Sequence, residues 1–122
     1  MSPRYRIFFS EAAQKELRKL GASAAREILP QIDKKLTADP VGYGKALSGA
    51  LSGYYRLRVG GYRVVYTIVG QRVCVVVLAV GKRNEGNVDN IYAWLTGGTL
   101  ETRLAPVLRK IESEDQDKDP GE

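Results

Sequence analysis

Four arginines dominate what this chain could do chemically. Arg56, Arg58 and Arg63 fall within the segment YYRLRVGGYR, and Arg83 closes the segment VGKR. Guanidinium groups grip phosphate oxygens bidentately and keep their proton at neutral pH. Gathered in one place, they suit holding a backbone phosphate and stabilising the extra charge of a pentacoordinate phosphorane. With RNA the nucleophile can be the substrate's own 2′-OH, so the protein need supply only positioning, electrostatics and weak acid–base help. The chain has no histidine, which removes the usual general base and the commonest catalytic metal ligand. It also spells out no metal-ligand cluster, and this chemistry calls for no cofactor.

The charge distribution agrees with an anionic partner. Between Pro40 and Asn84 there are seven Lys or Arg residues and no Asp or Glu. The formal net charge is +5, but residues 112–122 carry six acids and one Lys, and setting aside that net −5 leaves +10 on residues 1–111. So basic a domain points to a polyanion such as nucleic acid. A single Cys, Cys74, cannot form an internal disulfide and suits a reducing, cytoplasmic setting. The N-terminus reads as no signal peptide, and the longest apolar run, residues 73–80, is far too short to span a membrane.

The elements that must position the arginines can be read in order. At 122 residues the chain suits one domain. Residues 5–9 (YRIFF) form a first strand; Ser10 caps a helix over residues 11–20, and Gly21 ends it. A second helix follows Ser23, kinked or split at Pro30 and stopped at Asp39-Pro40. Residues 41–53 hold four glycines and read as a loop anchored by Leu47 and Leu51. Three strands then follow, over residues 54–59, 62–69 and 72–80, with turns at Gly60-Gly61 and Gly70-Gln71. Residues 84–86 form a turn and residues 87–95 a short helix. A further amphipathic helix runs from Thr99 to about Ile111, interrupted by Pro106, and its Leu100, Leu104, Val107, Leu108 and Ile111 must dock on something. The expected fold is α+β: a small single domain, an N-terminal strand and helical hairpin packed on a mostly antiparallel β-meander, with short C-terminal helices. Residues 1–95 form the core domain, 96–112 a helical extension and 113–122 an acidic disordered tail.

Strand parity sorts the meander into two faces. A two-residue turn at Gly60-Gly61 pairs Val59 with Tyr62 and sets Arg58 opposite Arg63, with Arg56 two residues back on the same face. Tyr55, Leu57, Val59, Tyr62, Val64, Tyr66 and Ile68 then form the core face against the helices. The arginine face is expected to be the open side of the sheet. Like charges directly opposed in a sheet destabilise it, so the repetition argues for an anion between them. Lys82 and Arg83 end the fourth strand, which a meander can bring back toward this patch.

The order of strand, helical hairpin, YRLRVGGYRVVY, valine-rich strand and GKR resembles the RelE/ParE toxin superfamily of bacterial type II toxin–antitoxin modules, and GYR followed by GKR is closer to RelE. The resemblance covers roughly residues 4–95. It implies a cytoplasmic, ribosome-dependent endoribonuclease (an mRNA interferase) that cuts messenger in the ribosomal A site by 2′-OH attack, inhibiting translation. It implies a cognate antitoxin, the ribosome and mRNA as partners, no membrane, and a higher-order toxin–antitoxin complex that binds operator DNA through the antitoxin. By the same resemblance, Arg56 and Arg58 match the paired basic positions of the second strand, with proton-abstracting and phosphate-holding roles. Arg63 and Arg83 match the arginines of GYR and GKR and would stabilise the transition state and help the leaving oxygen. Lys45 and Lys82 are further RNA-binding candidates. Three departures stand out. The second-strand pair is Arg where the family often has Lys. Val88-Asp89 stands where the family carries its C-terminal Tyr, leaving Tyr92, about one helical turn on, for that role. Leu47-Ser48-Gly49 replaces L-R-G, for which Lys45 is the compensating cation. The alternatives are a ParE-like toxin that inhibits DNA gyrase without cutting RNA, and a catalytically degenerate module that only binds antitoxin or nucleic acid.

Overall fold

A computed structural model of the protein describes residues 4–82 and 97–117. The first strand, β1 (Arg6–Phe9), leads directly into α1 (Glu11–Leu20). Ser10 forms the junction as expected: its hydroxyl accepts from the Ala13 amide at 3.0 Å and satisfies one orphan donor of the first turn. Gly21, at φ +102°, both ends α1 and opens α2 (Ala22–Gln31), so the second helix starts ahead of Ser23. Pro30 does not split α2. The helix instead widens after it into a π-turn over Ile32–Leu36, where Ile28, Ile32 and Leu36 remain buried and offset the proline's lost hydrogen bond.

The glycine-rich stretch contains more structure than a loop. A one-turn helix, α3 (Pro40–Tyr43), is followed by a two-residue strand, β2 (Lys45–Ala46), and a 3₁₀ turn, Gly49–Leu51. Asp39-Pro40 therefore starts a helix as well as ending one. The Asp39 carboxylate caps the Gly42 amide at 2.9 Å, and Pro40 occupies the first turn, where its missing N–H costs nothing. Leu47 and Leu51 pack as anchors, as expected.

The meander itself is β3 (Tyr55–Val59), β4 (Tyr62–Val69) and β5 (Cys74–Lys82). Sheet order is β1-β5-β4-β3-β2; β1 runs parallel to β5 and the other neighbours pair antiparallel. Gly60, at φ +55°, makes the tight β3–β4 turn in a left-handed conformation that glycine adopts without strain.

The two sides of the sheet depart from the expected division into core and open face. The helical hairpin covers Leu57, Val59, Val64 and Tyr66, as read from parity, and with them Val75 and Val77 of β5. The opposite side is a second core. There Val65, Cys74, Val76, Leu78 and Ala79 are fully buried beneath Leu100, Val107 and Ile111 of the last helix, α4 (Gly97–Asp117). This is the surface on which the C-terminal apolar stripe docks. Pro106 does not interrupt α4, which continues through residues 113–117, where the sequence suggested the disordered tail begins. Glu114 from that segment pairs with Arg6 of β1 at 2.6 Å. The turn expected at residues 84–86, the helix at 87–95 and residues 118–122 of the tail lie outside the described residues.

A bulge between Val65 and Tyr66 gives β5 an extra residue, so Val65 faces Ala79 while Tyr66 faces Val77. Leu78 and Ala79 can thereby both enter the second core. Beyond Phe9, which pairs with Val77, β1 no longer covers the edge of β5. Side chains take over its hydrogen bonds: Ser10 Oγ and Arg103 Nη1 donate to the Leu78 carbonyl at 3.2 and 2.9 Å, and Glu16 Oε1 accepts from the Val80 amide at 3.0 Å. Arg103 and Glu16 are themselves paired at 3.1 Å, which joins α4 to α1 across the strand end.

Candidate functional site

The face that carries the arginines is covered by α4 over its centre, while its β2–β3 margin carries exposed charge. Register sets the positions. Lys45 stands directly opposite Arg56 across β2 and β3, and Arg58 directly opposite Arg63 across β3 and β4, so the expected apposition of Arg58 and Arg63 is present. Directly opposed residues share a face, and Arg56 and Arg58 are alternate residues of one strand. The four cations thus form a diagonal track from β2 to β4.

Their environments differ. Lys45 and Arg58 are exposed and Arg56 is half-buried. Arg63 is only 6% exposed, which corrects the expectation that it lies on an open surface. Its strand is the middle one of the five, flanked by β3 and β5, whereas Lys45 and Arg58 lie toward the margin. Across from Arg63 on β5 is Gly81, which brings no side chain to that face. A guanidinium so placed stays charged, and a low local dielectric strengthens its pull on an anion. Among the described residues, no carboxylate lies within ion-pairing distance of Lys45, Arg56 or Arg58; the pairs Arg6–Glu114 and Arg103–Glu16 are elsewhere.

The end of β5 does return to this patch, since Gly81 pairs with Arg63. Lys82, however, is exposed and opposite Tyr62, whose face is the helical one, so it does not join the Arg63 side of the sheet. Arg83 and Tyr92 lie outside the described residues.

Lys45 is held by a chain of contacts that sequence reading missed. The Tyr66 hydroxyl, on the helix face, donates to the Pro40 carbonyl and fixes α3 against the sheet. Tyr66 is in turn stacked on Tyr55 at 5.6 Å between ring centroids and 17° between planes. Gly44 then passes over that hydroxyl so closely that a Cβ would sit 1.7 Å from it. The next residue, Lys45, enters the β2 register. The signals were present as Asp39-Pro40, a cap followed by a first-turn proline, and as a glycine just before a cation. Burial pushes the Tyr66 phenol well above the usual tyrosine range, with Tyr55 and Asp39 adding to the effect. Tyr66 is therefore a structural donor on the far side of the sheet. Tyr54, two residues before Arg56, also has its phenol pushed up, first by burial and then by Glu101 of α4.

Comparison with known proteins adds to this geometry. The model of the ParE toxin of type II toxin–antitoxin systems matches residues 7–86. The chain belongs to the RelE/ParE superfamily, as a toxin of a type II toxin–antitoxin system. It is 35% identical over 85 residues to the mRNA interferase toxin RelE of Escherichia coli K12, covering 69% of this chain and 88% of that protein. Among solved structures it resembles the RelBE toxin–antitoxin complex of Mycobacterium tuberculosis (TM-score 0.65, 29% identity, covering 68% of this chain and 95% of the other). It also resembles the isolated RelE toxin of E. coli (TM-score 0.58, 29% identity, covering 69% and 89%). The match to the ParE model ends before α4 begins.

Proposed function

We propose that this toxin is an endoribonuclease that cuts messenger RNA in the ribosomal A site. The observation that carries this reading is the Arg58–Arg63 pair, one member exposed and one buried, with Arg56 beside it on the same face. The 35% identity to a protein named an mRNA interferase supports it. In the proposed step the ribose 2′-OH loses its proton and its oxygen attacks the adjacent phosphorus. The bond from phosphorus to the 5′-oxygen breaks, and that oxygen takes up a proton. The products are a 2′,3′-cyclic phosphate and a 5′-OH end. Arg58 holds the scissile phosphate and assists removal of the 2′ proton, and Arg56 grips the RNA backbone beside it. Arg is a poor base, with a pKa above about 12, so most of the acceleration falls to charge stabilisation by Arg63 and Arg83. Tyr92 is the candidate acid–base partner and Lys45 binds RNA, while Lys82, on the other side of the sheet, stands apart from this track. A cognate antitoxin would restrain the toxin in the cytoplasm, in a higher-order complex that reaches operator DNA through the antitoxin; solved relatives crystallised as toxin–antitoxin complexes support that partner.

The test is translation of a defined messenger on purified ribosomes, with cleavage mapped by primer extension. A-site cuts by the wild type, reduced at least about a hundredfold in Arg63→Ala and Arg83→Ala, are the expected result. One feature favours a second reading, inhibition of DNA gyrase: Val88-Asp89 stands where the nucleolytic relatives carry their Tyr. Intact messenger together with blocked supercoiling would replace the first reading by the second.

A further inference from the structure

We propose that Lys45 and Arg56 form a second phosphate subsite, one nucleotide along the RNA from the scissile phosphate held by Arg58 and Arg63. The proposal rests on the nuclease reading and specifies how that site grips its substrate. Two like-charged pairs face each other across neighbouring strands: Lys45 with Arg56, and Arg58 with Arg63. Because Arg56 and Arg58 are alternate residues of β3, the two pairs are offset by about 6.8 Å along the strand and, since they span neighbouring gaps, by about 4.8 Å across it, a centre-to-centre step of roughly 8 Å. The long, flexible Lys and Arg side chains bring that step within reach of successive phosphates in an extended single strand. Each pair spans the gap between adjacent strands, with opposed Cβ atoms about 5 Å apart, so one phosphate can be reached by both members.

Lys45 is poised for this use. It is exposed, no carboxylate pairs with it among the described residues, and it lies beside a cation that repels it. Its position is nonetheless built: the Asp39 cap, the Tyr66–Pro40 hydrogen bond and the Gly44 crossing all serve to bring β2 into register. The diagonal from β2 to β4 follows the margin that carries the exposed cations, with Arg63 at its inner end. An extended single strand laid along it would place one phosphate on each pair.

The experiment uses ribosomes programmed with messengers that carry one neutral methylphosphonate linkage, placed either just 5′ or just 3′ of the scissile phosphate. For the wild type, one of these two substitutions should lower kcat/KM about tenfold, the loss expected for one charge-assisted contact. Lys45→Gln should show the same tenfold loss on the unmodified messenger, carried by KM, and no further loss from the neutral linkage. Lys45→Arg should restore both behaviours. If Lys45→Gln is as sensitive to the neutral linkage as the wild type, the second subsite is wrong while the nuclease reading stands. If the wild type cuts no messenger, the reading fails and the subsite fails with it.

Discussion

Replacing Arg58 by Thr should make the folded protein more stable while weakening its action on RNA. Arg58 is exposed and directly opposite Arg63, which is 6% exposed and, as an arginine, cannot shed its charge. Like charges opposed across a β-ladder cost up to roughly 1 kcal/mol. Two unit charges ~6 Å apart repel by about 0.7 kcal/mol in water and about 2.8 kcal/mol at an effective dielectric near 20. Long side chains can splay apart, so the lower part of that range applies. Thr retains good strand propensity, which leaves charge as the main difference. The expected gain is about 1 kcal/mol at low salt, or roughly 3–6 °C in Tm for a domain of this length. Thermal unfolding at ~0.01 M and ~1 M salt separates this from packing, because the screening length falls from ~30 Å to ~3 Å between them and should remove most of the gain. Arg58→Glu, which offers Arg63 an opposite charge, should gain more and cleave RNA least. If Arg58→Thr is no more stable than the wild type at low salt, the two guanidinium groups are not straining the sheet. Their apposition would then carry no cost for a bound anion to offset.

Two further outcomes follow from the packing. The Arg103–Glu16 pair is only 17% and 22% exposed and also serves the Leu78 carbonyl and the Val80 amide. Arg103→Ala or Glu16→Ala should each cost about 1–3 kcal/mol, between the values for surface and buried pairs. A double-mutant cycle read by denaturant unfolding should return a coupling near 1 kcal/mol, and additive losses would mean that the pair does not hold α4 to α1. The raised Tyr66 phenol sets an alkaline limit. A pKa above the unfolded value of 10.0 means that folding favours the protonated form, so this stabilisation is complete below about pH 10 and is lost as pH rises through the higher folded value. In a phenolate absorbance titration of the seven tyrosines, the last should ionise only as the fold is lost, and Tyr66→Phe should remove that late phase. Seven tyrosines titrating together in a native protein would contradict the burial assigned to Tyr66.

The meander was legible because its signals are local. Gly60-Gly61 between two alternating runs sets one register, and that register alone places Arg58 against Arg63. Ser10 before an amphipathic decapeptide likewise specifies α1. What was not read correctly depends on contacts distant in the chain. The stripe Leu100, Leu104, Val107 and Ile111 announces that α4 must dock, but not where. A clue was available in β5, whose unbroken apolar run from Cys74 to Val80 is the pattern of a strand buried on both faces. The prolines misled for a related reason. Pro30 and Pro106 each carry a helix-breaking penalty of about 3 kcal/mol, yet buried neighbours on both sides of each, Ile28 and Ile32, and Leu100 and Val107, hold the helices together. At Lys45 a strand of two residues is too short to show any periodicity, and only its neighbours Gly44 and Tyr66 specify it.

The same tertiary contacts explain why the arginines do not form a uniform patch. With α4 absent, the centre of that sheet face would be apolar and open, and a basic margin beside it would be one more feature of an exposed surface. With α4 in place, the apolar centre is sealed and the cations along the diagonal differ in burial: Lys45 and Arg58 are exposed, Arg56 is half-buried and Arg63, at the inner end, is buried. An exposed cation attracts a phosphate but is screened by water and salt, while a buried one acts through a lower dielectric and little changes around it during reaction. A chain without histidine has few routes to proton transfer, so fixed charge must carry more of the proposed reaction. That difference suits the proposed reaction, in which the exposed residues would gather and align the RNA and the buried guanidinium would stabilise the charge of the transition state.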